Sequence, residues 1–166
     1  MMKRALIPLM PLMLCVAGVA LAQAPAPRPP VPFATLPGVQ VREAVPAIGT
    51  NRIYYTTDKD ELFVYDRASK RSTLVNRGKM SVLALSPKRD RIAFVRDNED
   101  KKDSYIWTLP LDPATGGAAG PARRVSVKAG YWPAFSPDGQ NLAYAAGDLL
   151  PSAVVVMPSS GGTERE

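Results

Sequence analysis

Trp132-Pro133-Ala134-Phe135-Ser136-Pro137-Asp138-Gly139-Gln140-Asn141-Leu142-Ala143-Tyr144 is the stretch on which the reading of this chain turns. Fifty residues earlier, Ala84-Leu85-Ser86-Pro87-Lys88-Arg89-Asp90-Arg91-Ile92-Ala93-Phe94 repeats its order, with Ala, Ser, Pro and Ala identical at matching positions. A more eroded copy, Ile48-Gly49-Thr50-Asn51-Arg52-Ile53-Tyr54-Tyr55, lies 39 residues before the Ile92 copy. In the best-kept copy, Pro137 presets φ for a turn, Asp138 can bond local amides, and Gly139 tolerates positive φ. Ser86, Pro87, Ser136, Pro137, Asp138 and Gly139 are therefore read as structural turn residues.

Short apolar runs follow each turn, at Ile53–Thr57, Ile92–Arg96 and Leu142–Ala146, and a second set comes at Leu62–Tyr65, Tyr105–Leu109 and Ala153–Met157. They are rich in β-branched and aromatic residues and bounded by turn residues, which predicts strands. Gly116-Gly117 and Gly161-Gly162 close the next hairpins, and outer strands are expected at Arg71–Val75 and Arg123–Val127. Inner strands are expected near Val82–Leu85 and Pro133–Phe135. Four short antiparallel strands per unit of this length are the pattern of a β-propeller blade. An immunoglobulin-like sandwich would not repeat a Ser-Pro turn once per unit. The expected fold is all-β: an incomplete β-propeller of about three four-stranded blades, near 39–78, 79–128 and 129–166, the last truncated. Packing between blades two and three would put Phe94, Trp107, Phe135 and Tyr144 in the interior.

The N-terminal part is read as an address. Lys3 and Arg4 precede an apolar run whose uninterrupted core, Leu12–Leu21, is ten residues long, against about 20 needed to span a bilayer. Ala20-Leu21-Ala22 supplies a signal-peptidase pattern, so 1–22 is expected to be a signal peptide cut between Ala22 and Gln23. A lipoprotein reading through Cys15 is weaker, because Leu14 is bulky and Cys15 lies inside the apolar run. Residues 23–38 hold six prolines in sixteen positions and read as a stiff linker. A periplasmic or secreted location follows.

At this point the residues resemble a known family, the TolB-type β-propeller repeat of bacterial periplasmic proteins. That pattern is an aromatic, a small residue and Ser-Pro-Asp-Gly, then two apolar strands and a Gly-Gly turn. The copy around Ser136 follows it nearly throughout, whereas Lys88 and Arg89 stand where Asp-Gly would fall in the copy around Ser86. The resemblance implies a non-enzymatic protein-binding scaffold of the cell envelope, with an envelope protein or lipoprotein as partner. Similar repeats also precede the catalytic domains of prolyl-oligopeptidase-like and amidohydrolase-type enzymes. The alternative is thus an N-terminal propeller fragment of a longer exported hydrolase. Three blades fall short of the usual minimum of about four for a closed ring, which leaves a fragment, self-association to complete the ring, or an open array.

Among 166 residues there is no His and a single Cys. Ser-His-Asp and Cys-His hydrolysis within this chain and His-ligated metals are excluded, and the reading names no catalytic residue, metal or cofactor. Ser136 lacks the Gly-x-Ser-x-Gly setting and a base. Tyr131, Trp132 and Phe135 could stack on a ligand, but packing between blades is the favoured reading. Four carboxylates in Asp97–Asp103 lack the mid-loop Gly and terminal Glu of a calcium loop, which favours a solvated hairpin. Arg67–Arg96 carries nine Lys and Arg against one acid; it reads as a polar rim before a patch for an acidic partner. Nucleic acid is not an expected partner, since no aromatic-basic interleaving marks a groove.

Overall fold

The computed structural model describes residues 36, 38–98, 103–147 and 153–166. The signal-peptide region, the cleavage site at Ala22 and Gln23, and most of the Pro-rich stretch lie outside the described residues. Every regular element described is a strand. The first antiparallel sheet runs β1 (Val41–Ala47), β2 (Arg52–Thr57), β3 (Glu61–Asp66) and β4 (Arg71–Arg77). The second contains β5 (Ser81–Leu85), β6 (Arg91–Asn98), β7 (Asp103–Pro110) and β8 (Arg123–Arg124). The third contains β9 (Gly130–Phe135), β10 (Asn141–Ala146) and β11 (Ala153–Pro158). Beyond β11, a single bridge between Val156 and Arg165 continues the ladder by one pair.

Each sheet meanders outward from its first strand, and β5 lies against β1 on one side and β9 on the other. Period-2 alternation divides the side chains between faces. Tyr54, Leu62 and Val64 of the first sheet meet Ile92, Phe94 and Leu109 of the second in one core. Ala93, Val95 and Ile106 of the second meet Leu142, Tyr144 and Val155 of the third in another. β6 is thus buried on both faces, Ile92, Ala93 and Phe94 being fully inaccessible. Burying side chains the size of Ile92 and Phe94 stabilises the folded chain by about 1.5–3 kcal/mol each.

Two of the four aromatics expected inside lie in the other interface, that between the first and second sheets. Phe94 and Trp107 face the first sheet, and Trp107 is only partly buried, with the Arg96 guanidinium 4.7 Å from its ring centroid. Tyr144 and Phe135 do face the second sheet, Tyr144 fully and Phe135 partly buried.

The innermost strands share an irregularity. Register shifts between Val41 and Glu43 in β1, between Ser81 and Ala84 in β5, and opposite Tyr144 in β9. Val82 (φ 52°) and Trp132 (φ 53°), fifty residues apart, both take left-handed backbone at this bulge, a conformation costly for side chains of that size. A bulge strips an amide of its ladder partner. In the second sheet that amide is Leu83, and the Glu43 carboxylate accepts its hydrogen bond at 2.7 Å from the first sheet. In the third sheet the matching residue is Pro133, which has no N–H to satisfy.

Candidate functional site

The Ser-Pro turns sit at one end of the sheets, side by side. In the third sheet, the Ser136 hydroxyl donates to Asp138 Oδ1 at 2.5 Å, and the same oxygen accepts the Gln140 amide at 2.9 Å. Ser136 Oγ also accepts the Asn141 amide, and Gly139 N–H reaches the Ser136 carbonyl with φ +70°. These bonds hold the Asp138 carboxyl below the usual carboxylate range, the Ser136 hydroxyl contributing most. The hydroxyl and carboxylate are spent on their own turn. That is turn chemistry.

The turn around Ser86 closes the same way despite its changed residues. Ser86 donates to Asp90 Oδ1 at 2.6 Å and accepts the Lys88 amide, while Arg89 N–H reaches the Ser86 carbonyl. Arg89 adopts φ +60° where Gly139 has +70°, a strain of about 1 kcal/mol for a residue with a Cβ. Its guanidinium then crosses to the first sheet and donates to the Ile48 carbonyl at 3.2 Å. Pro87 and Ser86 line a cleft of about 380 Å³ with Val45, Pro46, Leu85 and Arg89. Ile48, at the mouth, is 86% exposed. Ile48 therefore adds an exposed apolar side chain to a concave and largely apolar surface.

Trp132 overturns its expected role. It is 62% exposed and packs in neither core, while Tyr131 and Phe135 pack against the second core. The bulge accounts for this: the extra residue turns the indole away from the sheet face that its neighbours share. The Tyr131 ring lies 6.1 Å away and is tilted.

The basic stretch disperses on folding. Arg77 pairs with Glu61, Lys79 with Asp97 and Arg91 with Asp90, while Arg96 stacks between aromatic rings of the second sheet. Burial lowers the Arg96 pKa. Lys79 and the Ser104 hydroxyl hold Asp97 below the ordinary carboxylate range, with Lys79 the larger influence. Residues 99–102 of the acidic loop lie outside the described residues. Among the described residues no group of three His, Cys, Asp or Glu side chains could hold a metal ion, and no helix is long and apolar enough to cross a membrane.

Polar contacts between sheets form a second pattern that the sequence did not reveal. Arg52 donates to the carbonyls of Pro113, at 3.0 Å, and Ala114, in the turn after β7. Arg123 donates to the Ser160 carbonyl, in the turn after β11, at 3.2 Å. The Tyr54 hydroxyl, its pKa raised by burial, donates to the Gly116 carbonyl at 3.0 Å. Each pair is separated by at least 37 residues, so no local motif signals it.

No protein-family model and no curated protein sequence matches the chain. Its fold is similar to that of TolB from Acinetobacter baumannii, with a TM-score of 0.52 at 15% identity over 69% of this chain and 28% of that one. It is also similar to an oligogalacturonate lyase (TM-score 0.54, 13% identity, 69% of this chain and 36% of that one). The β-propeller domain of the Trilobed protease from Pyrococcus furiosus gives 0.53 at 16% identity, over 74% and 40%. The chain thus has the architecture of part of a β-propeller, and it spans 28 to 40% of the length of these proteins.

Proposed function

We propose that this chain is an exported, non-enzymatic scaffold that binds another protein of the cell envelope through the turn end of its blades. The observation that carries this reading is the cleft between the first two sheets, rimmed by Ile48, Pro87 and Arg89. It combines an exposed aliphatic side chain, apolar walls and a cation, the mixture that fits a protein segment with apolar and acidic residues. The likeness to TolB adds support at the level of fold alone.

The test is cross-linking in cells that express the chain, comparing wild type with Ile48→Asp. A partner captured by wild type and lost in the variant, with unchanged strand content, supports the reading. Equal capture by both would refute this cleft as the site.

The second reading is that these blades belong to a longer exported hydrolase, whose chemistry lies in another domain. The similarity to an oligogalacturonate lyase and to a protease propeller favours it. A reading frame continuing past Glu166 into a Gly-x-Ser-x-Gly stretch would decide for it.

A further inference from the structure

The two outer faces of the three-sheet stack match the two halves of its internal interfaces. Ala93 and Val95 present small side chains to the following sheet and are buried by it. Their counterparts fifty residues on, Ala143 and Ala145, lie on the open face of the third sheet beside Val154 and Val156, which are 66% and 40% exposed. On the opposite face, Ile92 and Phe94 pack against the preceding sheet, as Leu142 and Tyr144 do. Their counterparts in the first sheet, Ile53 and Tyr55, lie outside the core shared with the second, Ile53 partly exposed and Tyr55 buried at the floor of its own face. Tyr55 stacks on Phe63 at 5.5 Å, under a cavity of about 290 Å³ edged by Leu36 and Val39.

The arginine contacts extend the match. In both internal interfaces an arginine crosses to carbonyls of the turn after the third strand of the next sheet. Arg123 stands in a row with Thr108 and Ala93; Arg165 stands in the equivalent row with Val156 and Ala143. Arg165 is exposed on the open side of the third sheet. The turn it is placed to meet in a following blade corresponds, in this chain, to Arg67–Lys70.

We propose that the occupant of the open third-sheet face is the first sheet of a second copy of this chain. Val154 and Val156 enter the cavity over Tyr55 and Phe63, and Arg165 donates to carbonyls of the Arg67–Lys70 turn. The contact is heterologous, and applied twice about a two-fold axis it closes instead of propagating. Two copies then give a ring of about six blades, within the usual range of four to eight. The surface involved is distinct from the turn-end cleft, so the proposal does not rest on the partner reading above.

Multi-angle light scattering on the 166-residue chain reads this directly. The expected result is twice the protomer mass across a dilution series. Val154→Glu with Val156→Glu should lose the dimer, and so should Arg165→Glu, which sits on an exposed position and keeps the test valid if the double variant fails to fold. Mixing Arg165→Cys with Ser69→Cys copies and adding a short bismaleimide should give a mixed cross-linked pair, in copies whose Cys15 is replaced by Ser. A protomer mass at every dilution, as expected if the face is covered by further blades of a longer chain, overturns the proposal. So does a dimer untouched by the variants, or Arg165→Cys copies that cross-link only to one another.

Discussion

Removing the Glu43 carboxylate should loosen the first sheet from the second. Leu83 is 8% exposed, and its amide, displaced from the ladder by the bulge, has Glu43 as its acceptor at 2.7 Å. A buried donor left without an acceptor costs about 1–3 kcal/mol, and a charged acceptor puts the bond toward the stronger end. Glu43 is itself half-buried, so water can reach part of the vacated space. The expected loss for Glu43→Ala is therefore about 1–2 kcal/mol. For a domain of this size that lowers the thermal midpoint by roughly 3–8 °C. Glu43→Gln keeps an acceptor oxygen without the charge and should lose about half as much. Glu61→Ala is the control: its pair with Arg77 is solvent-facing, the arginine side chain being 72% exposed, and such pairs contribute about 0.2–1 kcal/mol. The assay is circular dichroism at the strand band during heating, with urea denaturation on the same variants. An unchanged midpoint in Glu43→Ala, or a larger loss in Glu43→Gln than in Glu43→Ala, would refute the account of the bulge.

Phe94→Ala should cost about 3–5 kcal/mol, and Trp107→Ala, at a partly buried ring, clearly less; chemical denaturation of the two variants gives the order, and the reverse order contradicts the sheet faces assigned here. Gly116→Ala should destabilise by about 1–2 kcal/mol, because the residue has φ +78° and a Cβ there would stand 3.1 Å from the Tyr54 hydroxyl and 3.3 Å from Val64 Cγ2; a neutral result in a melting experiment would remove the close approach. Acid should lower the stability of the chain. The carboxyls of Asp97, Asp66, Asp112 and Asp138 are all lowered, chiefly by Lys79, the Ser69 amide, the Thr115 hydroxyl and the Ser136 hydroxyl respectively. A depressed carboxyl stabilises the fold above its unfolded pKa, near about 4, and that contribution is lost as pH falls through the folded value. The thermal midpoint should stay level from neutral to about pH 5 and fall below about pH 4; a midpoint that rises on acidification would contradict the sign.

What could be read in advance was the part of the fold written in turns. The Ser86-Pro87 and Ser136-Pro137 turns make the same backbone hydrogen bonds, although their serine hydroxyls take different partners, and the strands that follow them lie where their apolar runs stand. β1 gave no comparable signal, because Val41–Ala47 contains a proline and two charges and only alternate side chains point inward. The outer strand expected at Arg123–Val127 shrinks to Arg123–Arg124. The amides of Val125 and Ser126 both converge on the Ile106 carbonyl, and the Val127 amide leaves for the Glu164 carboxylate at 2.6 Å. Trp132 was misplaced because a bulge inverts the facing that alternation predicts. Gly116 and Gly161 were legible as turn glycines, but not their second role. Each lets its turn lie against the preceding sheet, Gly116 on Tyr54 and Val64, Gly161 on Val125. The turn-end cleft was equally hidden, since Ile48 and Arg89, 41 residues apart, meet only through the packing of two repeats.

That packing of consecutive repeats face to face is the central claim, and nuclear Overhauser contacts at the two turn glycines test it most directly. A cross-peak between a Gly116 α-proton and a Val64 methyl should join the first sheet to the second. A matching cross-peak from Gly161 to a Val125 methyl, whose carbon lies 3.4 Å from where a Cβ on that glycine would stand, should join the second to the third. Both are expected in the folded chain. Strand-to-strand contacts within each sheet without either of these two would mean that the sheets form but do not stack as propeller blades.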